Sequence, residues 1–274
     1  MKCAKAQSCF LRGAVFLAAG LTVGILVFLI GYILFKGVPH ITPALFSLRY
    51  HTQNVSLFPA MISTVIMTAL SLLIAVPFGV CSAVYLVEYA SRGNRLVAVV
   101  RITAETLSGI PSIVYGLFGY LLFLLTLGWG YSLLAGAMTL SVMILPLMLR
   151  TTEEALKSVP DSYREGSFGL GAGRLRTVFR LVLPAALPGI LSGIILSVGR
   201  IVGETAALIY TAGTVAHIPD NLFSSARTMS VHMYVLWNEG FHTGQSYATA
   251  VVLLVVVIAL NALSALIARK IVRN

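Results

Sequence analysis

Long apolar runs alternate with short polar segments along the whole chain. Each run is continuous rather than alternating with a period of two, so it predicts a helix and not a strand. A helix of about 20 apolar residues crosses the hydrocarbon core of a bilayer, where only helices and closed barrels are stable. The pattern predicts an all-α polytopic membrane protein with about six transmembrane helices. The predicted spans are 13–35, 58–87, 104–127, 131–149, 185–209 and 247–268.

Composition and charge agree with this prediction. Hydrophobic residues make up 58% of the chain and charged residues only 10%, whereas soluble domains carry about 25% charged residues. The net charge of +10 comes from Lys and Arg that gather in both terminal tails and in the loops after the second and fourth spans. This distribution predicts that both termini are cytoplasmic. It argues against a nucleic-acid-binding protein, because the basic residues form no single patch.

The chain divides into a membrane core and two flanking segments. Residues 1–57 hold a short tail, the first span and an outer loop. The core covers 58–268, and 269–274 form a basic cytoplasmic tail. The first apolar run is too long for a signal peptide and no cleavage-site pattern follows it, so we expect it to remain as a helix.

No metal site is expected from the cysteines and histidines. The cysteines lack the paired spacing of a zinc site, and no two histidines stand four residues apart. All histidines fall in predicted outer loops, where we expect solvated side chains. These residues are Cys3, Cys9 and Cys81, and His40, His51, His217, His232 and His242.

The segment 150–184 is the longest polar stretch and predicts a helix–turn–helix. Ser162 and Glu165 have the spacing of a capping box, which predicts a helix that starts near Tyr163. Glycines at 169, 171 and 173 then predict a turn. The hairpin would serve either as an amphipathic element on the membrane surface or as a docking element for another protein.

A second short helix is predicted after the turn. An apolar stripe recurs there with helical spacing, and two prolines would then bend the chain back into the membrane. The stripe consists of Leu175, Val178, Phe179 and Val182, and the prolines are Pro184 and Pro188.

Two charges, Arg200 and Glu204, stand inside the fifth predicted span. A spacing of four residues places both on one face of a helix, and a charge at this depth is costly unless it is paired or faces water. One interpretation is a structural ion pair. The other is a solute pathway, in which the planar fork of Arg200 suits an oxyanion. Glu204 would then orient Arg200 or reject more fully ionised anions.

The third predicted span is interrupted by Gly109 and Pro111. Such a break frees backbone N–H groups at the start of a half-helix, and these groups suit an anionic substrate. Ser112 and Tyr115 beside the break are candidate pathway residues. The alternative is a proline kink that neighbouring helices tolerate.

The chain contains no G-x-x-x-x-G-K-[ST] phosphate loop. We therefore expect any ATP hydrolysis to come from a partner chain.

Several motifs resemble those of a known family. Permeases of ABC importers carry E-A-A, three residues, Gly, nine residues and I-x-L-P. This chain keeps both spacings with Glu165-Gly166-Ser167, Gly171 and Leu181-x-Leu183-Pro184. Three segments resemble those of the phosphate-specific transport (Pst) permeases: "SGIPSIVYGLFG", "GRIVGETAALIYTAG" and "TMSVHMYVL". Their sequences are more similar to the PstA-like than to the PstC-like chains. The resemblance runs from about Thr52 to the C-terminus.

The resemblance implies the type I ABC importer permease fold and a subunit of an inorganic phosphate importer in a bacterial or archaeal cell membrane. Its partners would be a PstC-like permease chain, a dimeric ATPase that holds ATP and Mg, and an extracytoplasmic phosphate-binding protein. This chain would bind no cofactor and would not itself be an enzyme. Arg200 and Glu204 would belong to phosphate passage, and Glu165, Gly171, Leu181 and Pro184 to ATPase coupling. The alternatives are a permease for sulfate, molybdate or another oxyanion, an ion-coupled secondary carrier, and a membrane receptor or scaffold.

Overall fold

The computed structural model describes residues 2–91 and 93–273, with the side chains of 11–91, 93–266 and 269–270. The α-helices of this part of the chain are α1 (Lys2–Gly37), α2 (Phe58–Val84), α3 (Arg95–Ser108), α4 (Ser112–Gly119), α5 (Leu133–Lys157), α6 (Asp161–Gly169), α7 (Arg174–Thr177), α8 (Leu183–Val202), α9 (Ala206–Thr211), α10 (Met229–Glu239) and α11 (Thr243–Arg273). Two 3₁₀ turns, Val38–His40 and Pro43–Phe46, follow α1. The π-helical turns Tyr85–Tyr89 and Tyr120–Thr126 extend α2 and α4, and Val178–Val182 joins α7 to α8.

Helix α5 lies at the centre of the bundle. Of its most apolar stretch 67% is buried, whereas none of that of α1 is. Glycines let the neighbouring helices approach α5 closely, as small residues do between membrane helices. These approaches are Gly79 of α2 on Met148, and Gly189 and Gly193 of α8 on Ala155 and Thr151. The Oγ of Ser141 also donates a hydrogen bond of 3.2 Å to the carbonyl of Ser71, which joins α5 to α2.

In the described chain, five helical segments are long and apolar enough to cross a membrane. They are Leu11–His40, Phe58–Tyr89, Leu133–Lys157, Arg174–Val202 and Thr243–Leu266. A sixth span is formed only if Arg95–Ser108 and Ser112–Thr126 are taken together, and these two helices are bent by 104°. The predicted all-α class and number of spans are confirmed.

The third predicted span, 104–127, consists of two helices, and the chain breaks at the predicted interruption by Gly109 and Pro111. Helix α3 begins at Arg95 and ends at Ser108, and α4 leaves it at a steep angle. Pro111 disfavours helical backbone at the residue before it and supplies no N–H, so the ladder stops there. The hydroxyl of Tyr115 donates a hydrogen bond of 2.7 Å to the carbonyl of Leu107, which ties α4 to the last turn of α3.

The fifth span also differs. Residues Arg174–Val202 form one helical rod, so the two prolines do not separate a short helix from the span. Pro184 lies at the second position of α8, where a missing N–H is tolerated after the π-turn. At the other end the rod stops at Val202, and Gly203–Thr205 break the chain before α9. The predicted helix over 185–209 is therefore wrong at both boundaries.

The predicted outer loop 210–246 contains buried structure. It includes α10, and His232 on this helix is 0% exposed, which contradicts its prediction as a solvated loop residue. Arg227, also assigned to a loop, is only 8% exposed and donates hydrogen bonds to the carbonyl of Thr214 and to the ring of His232. Burial and the adjacent Arg227 cation lower the pKa of His232 to about 3, so the ring is neutral.

Candidate functional site

Arg200 lies near the end of α8 without a counterion among the described residues. Its side chain is half-buried, and no hydrogen bond or ion pair joins its guanidinium to another residue of the described chain. A cation in an apolar bundle needs water, a carboxylate or a ligand anion beside it. The guanidinium meets this need by lining a cavity.

This cavity has a volume of about 480 Å³ and lies between α3, α5 and α8. Two helical stripes form most of its wall, with members three or four positions apart, which places them on one face of each helix. On α3 they are Arg101, Ala104, Glu105 and Ser108, and on α5 they include Met143, Pro146, Leu147, Arg150, Glu154 and Lys157. Arg200 is the member that α8 contributes.

Arg200 stands at the deep end of this cavity. Gly193 packs on Thr151, and α8 runs antiparallel to α5. Seven residues further along α8, Arg200 is therefore level with about Ile144 of α5. The other end of the cavity reaches Lys157, the last residue of α5. We call this end of the bundle, where α5 stops and α7 begins, the basic end.

Ion pairs line the half of the cavity nearest the basic end. Glu153 is 6% exposed, and its Oε1 lies 2.7 Å from both Arg101 Nε and Lys157 Nζ. Neither cation directs a well-aligned hydrogen bond at this oxygen, so the contacts are ionic. Arg150 and Glu154 form an exposed pair at 3.1 Å. The cavity is thus lined by four cations and three carboxylates, Glu105 included.

Glu204 does not pair with Arg200. The four-residue spacing puts two side chains on one face only while the helix continues, and α8 ends at Val202. Glu204 lies in the break, where its Oε1 accepts a hydrogen bond of 3.1 Å from the N–H of Ala207 at the start of α9. Its carbonyl accepts a hydrogen bond from Ser230 of α10. The predicted face-sharing of Arg200 and Glu204 is wrong, and Glu204 caps the next helix instead.

The break in the third span lies beside this site. Gly109 and Pro111 stand in the break, and Ser112 begins α4. Neither Ser112 nor Tyr115 lines the 480 Å³ cavity, whereas Ser108 does. Tyr115 is 5% exposed and packs in the same buried cluster as Ile201, the neighbour of Arg200. Tyr115 therefore supports the wall behind Arg200.

The predicted helix–turn–helix exists at the basic end, with a different start. Helix α6 begins at Asp161 after Pro160, without a side-chain cap. Glu165 is exposed and forms no hydrogen bond with the described residues, so the predicted capping box is wrong. Gly171 has φ +81°, a left-handed conformation that favours glycine and makes the turn.

The apolar stripe after the turn divides between two environments. Val178 and Val182 are buried, but Leu175 and Phe179 are 66% and 55% exposed. Leu170 at the turn is 91% exposed. Leu181 and Pro184 are exposed as well. The hairpin thus presents large apolar side chains on its outer surface.

Arg164 anchors this hairpin to the bundle. Its guanidinium lies 2.7 Å from Glu88 at the end of α2 and 3.1 Å from Asp161. It also donates hydrogen bonds to the carbonyls of Val159 and Leu156. The Glu88 carboxylate raises the pKa of Arg164. Because Arg164 and Glu88 are 15% and 7% exposed in their side chains, the pair is largely shielded from water.

Sequence reasoning missed the cavity residues Arg101, Arg150, Glu153 and Lys157. They were assigned to loops because a charge usually marks the end of a span. A signal was present, since the helical spacing of Met143, Pro146 and Leu147 continues through Arg150, Glu154 and Lys157. When the helical spacing of a stripe continues into charged residues, the pattern predicts one helix with a face that contacts water.

Among the described residues, no group of three or more His, Cys, Asp and Glu side chains is placed to hold a metal ion. Cys81 is a free, exposed thiol. The side chains of Cys3 and Cys9 lie outside the described part.

A bundle of apolar helices, a charged cavity that extends to the basic end and an exposed apolar hairpin at that end are features of a multi-pass membrane permease. The family model for the inner membrane component of binding-protein-dependent transport systems matches residues 75–273. The chain belongs to this family.

Known proteins that are similar to this chain support this family assignment. It is 34% identical over 288 residues to the probable ABC transporter permease protein YqgI of Bacillus subtilis (strain 168), with 94% of this chain and 95% of that protein aligned. It is 37% identical over 213 residues to the phosphate transport system permease protein PstA 1 of Mycobacterium tuberculosis (strain CDC 1551 / Oshkosh), with 77% and 69% aligned.

The fold is shared with a solved structure. A chain in the crystal structure of a bacterial alginate ABC transporter in complex with alginate pentasaccharide-bound periplasmic protein matches with a TM-score of 0.66 at 19% identity, over 94% of this chain and 96% of that chain. The expected type I ABC importer permease fold is confirmed.

Removal of the Arg164 guanidinium is expected to destabilise the protein strongly. Arg164→Ala leaves Glu88 shielded from water without its partner, and breaking such a pair costs about 3–5 kcal/mol. Thermal denaturation of the purified chain in detergent measures the effect as a lower midpoint. The control is Arg150→Ala, which opens the exposed pair with Glu154 and costs at most about 1 kcal/mol. Equal shifts of the midpoint in both variants would contradict the anchoring role.

Proposed function

We propose that this chain is a transmembrane permease subunit of an ATP-driven importer of inorganic phosphate, and that it forms half of the translocation pathway. The observation that carries the proposal is the half-buried guanidinium of Arg200, which lines the cavity without a counterion among the described residues. The similarity to PstA 1, a phosphate transport system permease protein, supports the choice of solute.

The chemistry of Arg200 fits this solute. A guanidinium presents several N–H donors in a planar fork and binds phosphate oxygens through two parallel hydrogen bonds. Because no described carboxylate pairs with Arg200, its field acts on whatever anion enters the cavity. Glu204 contributes indirectly, since its bond to Ala207 fixes the break that ends α8 just after Arg200.

The basic end is proposed to face the cytoplasm, as the distribution of Lys and Arg indicates. The α6–α7 hairpin then lies where an ATPase subunit docks, with Glu165 and Gly171 on the hairpin and Leu181 and Pro184 at its exit. ATP and Mg are held by that partner, because this chain has no phosphate loop of its own. A second permease chain and an extracytoplasmic binding protein complete the complex. The chain therefore transports and does not catalyse.

Phosphate uptake is expected to depend on Arg200. In vesicles that contain this chain, a PstC-like chain, the ATPase and the binding protein, Arg200→Ala should lower ATP-dependent uptake of labelled phosphate about 10- to 100-fold. This range follows from about 1.5–3 kcal/mol for a hydrogen bond to a charged group. Arg95→Gln is the matched control, since Arg95 is exposed on α3 and does not line the cavity.

Excess sulfate and molybdate serve as competitors in the same assay. Phosphate uptake that ignores both would support the assignment. Transport of sulfate or molybdate in place of phosphate would show that the pathway carries a different oxyanion. Normal uptake by Arg200→Ala would remove Arg200 from the pathway.

Glu204 is expected to act through a hydrogen bond and not through its charge. Glu204→Gln keeps a side-chain oxygen for the N–H of Ala207 and should retain most of the uptake. Glu204→Ala removes that acceptor, and the loss of a cap costs about 1 kcal/mol, so uptake should fall severalfold. The same assay compares the two variants. A loss in Glu204→Gln as large as in Glu204→Ala would assign the function to the charge.

Docking of the ATPase is expected to require Leu170. Leu170→Glu places a charge on a side chain that is 91% exposed at the hairpin turn, so it should leave the fold intact and weaken co-purification of the ATPase. Leu48→Glu is the control, because Leu48 is 66% exposed at the opposite end of the bundle. Unchanged co-purification of the ATPase with Leu170→Glu would place the docking surface elsewhere.

A further inference from the structure

We propose that Arg101, Arg150 and Lys157 form a second phosphate-binding station on the way out of the cavity, and we call these three residues the exit station. This inference rests on the proposed function, because it concerns the same solute and the same cavity. It assigns a binding role to cations that otherwise take part only in ion pairs along α3 and α5.

The position of the exit station follows from the register of the helices. Arg200 is level with about Ile144, so Arg150 stands six residues, or about 9 Å, nearer the basic end. Lys157 lies about 20 Å beyond the level of Arg200 by the same rise per residue. Arg101 is brought to the level of Glu153 by their 2.7 Å contact. The cations therefore form a series along one cavity rather than a single cluster.

The arginines of the exit station keep most of their donors free. Arg101 approaches Glu153 through Nε, and Arg150 donates to Glu154 through Nε. The terminal nitrogens of both guanidinium groups make no hydrogen bond to a described residue. They are also reachable from water, since the two side chains are 43% and 63% exposed. A free pair of N–H groups on an accessible arginine is suited to two oxygens of one phosphate.

The carboxylates beside the exit station determine how tightly it binds phosphate. Glu153 and Glu154 compete with phosphate for the same cations, so the anion is held weakly. A site along a conduction path must attract its ion strongly enough to capture it and yet release it. Arg200, which has no carboxylate partner in the described chain, would hold phosphate more firmly, and the exit station would receive it and pass it to the cytoplasm.

A purely structural role would need a different geometry. An ion pair whose only role is to hold α3 against α5 would stabilise the packing most if the whole guanidinium fork faced a carboxylate and was shielded from water. The pair of Arg164 with Glu88 has this geometry. There, both Nε and a terminal nitrogen donate to the carboxylate. Arg101 and Arg150 line the cavity, and their terminal nitrogens donate no hydrogen bond to a carboxylate of the described chain.

Protection from chemical labelling tests the proposal residue by residue. The assembled, nucleotide-free transporter in lipid nanodiscs is treated with phenylglyoxal, which reacts with accessible arginines, at increasing inorganic phosphate and constant ionic strength in chloride. Mass spectrometry of peptides gives the labelling rate at each arginine. Phosphate is expected to slow labelling severalfold at Arg101, Arg150 and Arg200. Arg12, which is exposed on α1 and does not line this cavity, should react at an unchanged rate.

The outcomes separate this inference from the proposed function. Protection of Arg200 without Arg101 and Arg150 would overturn the exit station and leave the phosphate pathway standing. Protection of none of the three by phosphate would overturn both. Equal protection of Arg12 would show a general effect of the anion and would also overturn the exit station.

A substitution tests the role given to the carboxylates. Glu154→Gln frees Arg150 from its competitor and, at an exposed pair, should not disturb the fold. The phosphate concentration that half-protects Arg150 is then expected to fall severalfold. An unchanged concentration would mean that Glu154 does not compete with phosphate and would overturn the weak-binding station.

Transport gives an independent readout. Arg101→Gln combined with Arg150→Gln should lower maximal uptake severalfold, because release becomes slow. The external phosphate concentration for half-maximal uptake should not change, since the binding protein and Arg200 act before the exit station. Full uptake in the double variant would contradict a role in release.

Discussion

An arginine in an apolar helical bundle constrains everything around it. The guanidinium of Arg200 is a charged group that is costly to bury away from water, so the surrounding helices must bring water, a carboxylate or an anion to it. In this protein no carboxylate of the described chain is placed there. The bundle instead keeps a cavity between α3, α5 and α8 that reaches from Arg200 to the basic end. Helix α3 ends at the break before Pro111, and α8 ends at the break after Val202. These two ends, together with α5, line the cavity around Arg200.

The helical segment that carries Arg200 also carries the second arm of the α6–α7 hairpin. Residues Arg174–Val202 form one helical segment with the π-turn Val178–Val182 near its start, and Arg174 and Arg200 lie about 39 Å apart along it. Arg164 fastens the other arm of the hairpin to Glu88 of α2. In the proposed cycle, a movement of the ATPase would therefore reach two walls of the bundle, α8 directly and α2 through the ion pair. Rigid-body rocking of packed helices needs such stiff connections.

The charges of the cavity differ in how they are balanced. Within the described chain, Arg200 is uncompensated, Arg101 and Lys157 share a buried carboxylate, and Arg150 has an exposed one. The cation without a carboxylate partner stands at the deep end, and those with one stand nearer the basic end, so attraction for an anion is strongest at Arg200. In the proposed pathway, an anion would therefore be held most firmly at Arg200 and released more readily from the cations nearer the basic end.

The sequence by itself determined the all-α membrane class, the number of spans and the hairpin, because long apolar runs and their helical period depend on local chemistry alone. It also marked Arg200, since a charge in such a run is costly wherever the helices pack. The tertiary structure decided which side chains meet. Glu204 shares a face with Arg200 only if the helix continues, and packing of Gly116 on Ala207 and of α10 on the break ends it instead. The exit station depends on the register of α3 against α5, and a one-dimensional pattern does not record how two helices are placed against each other.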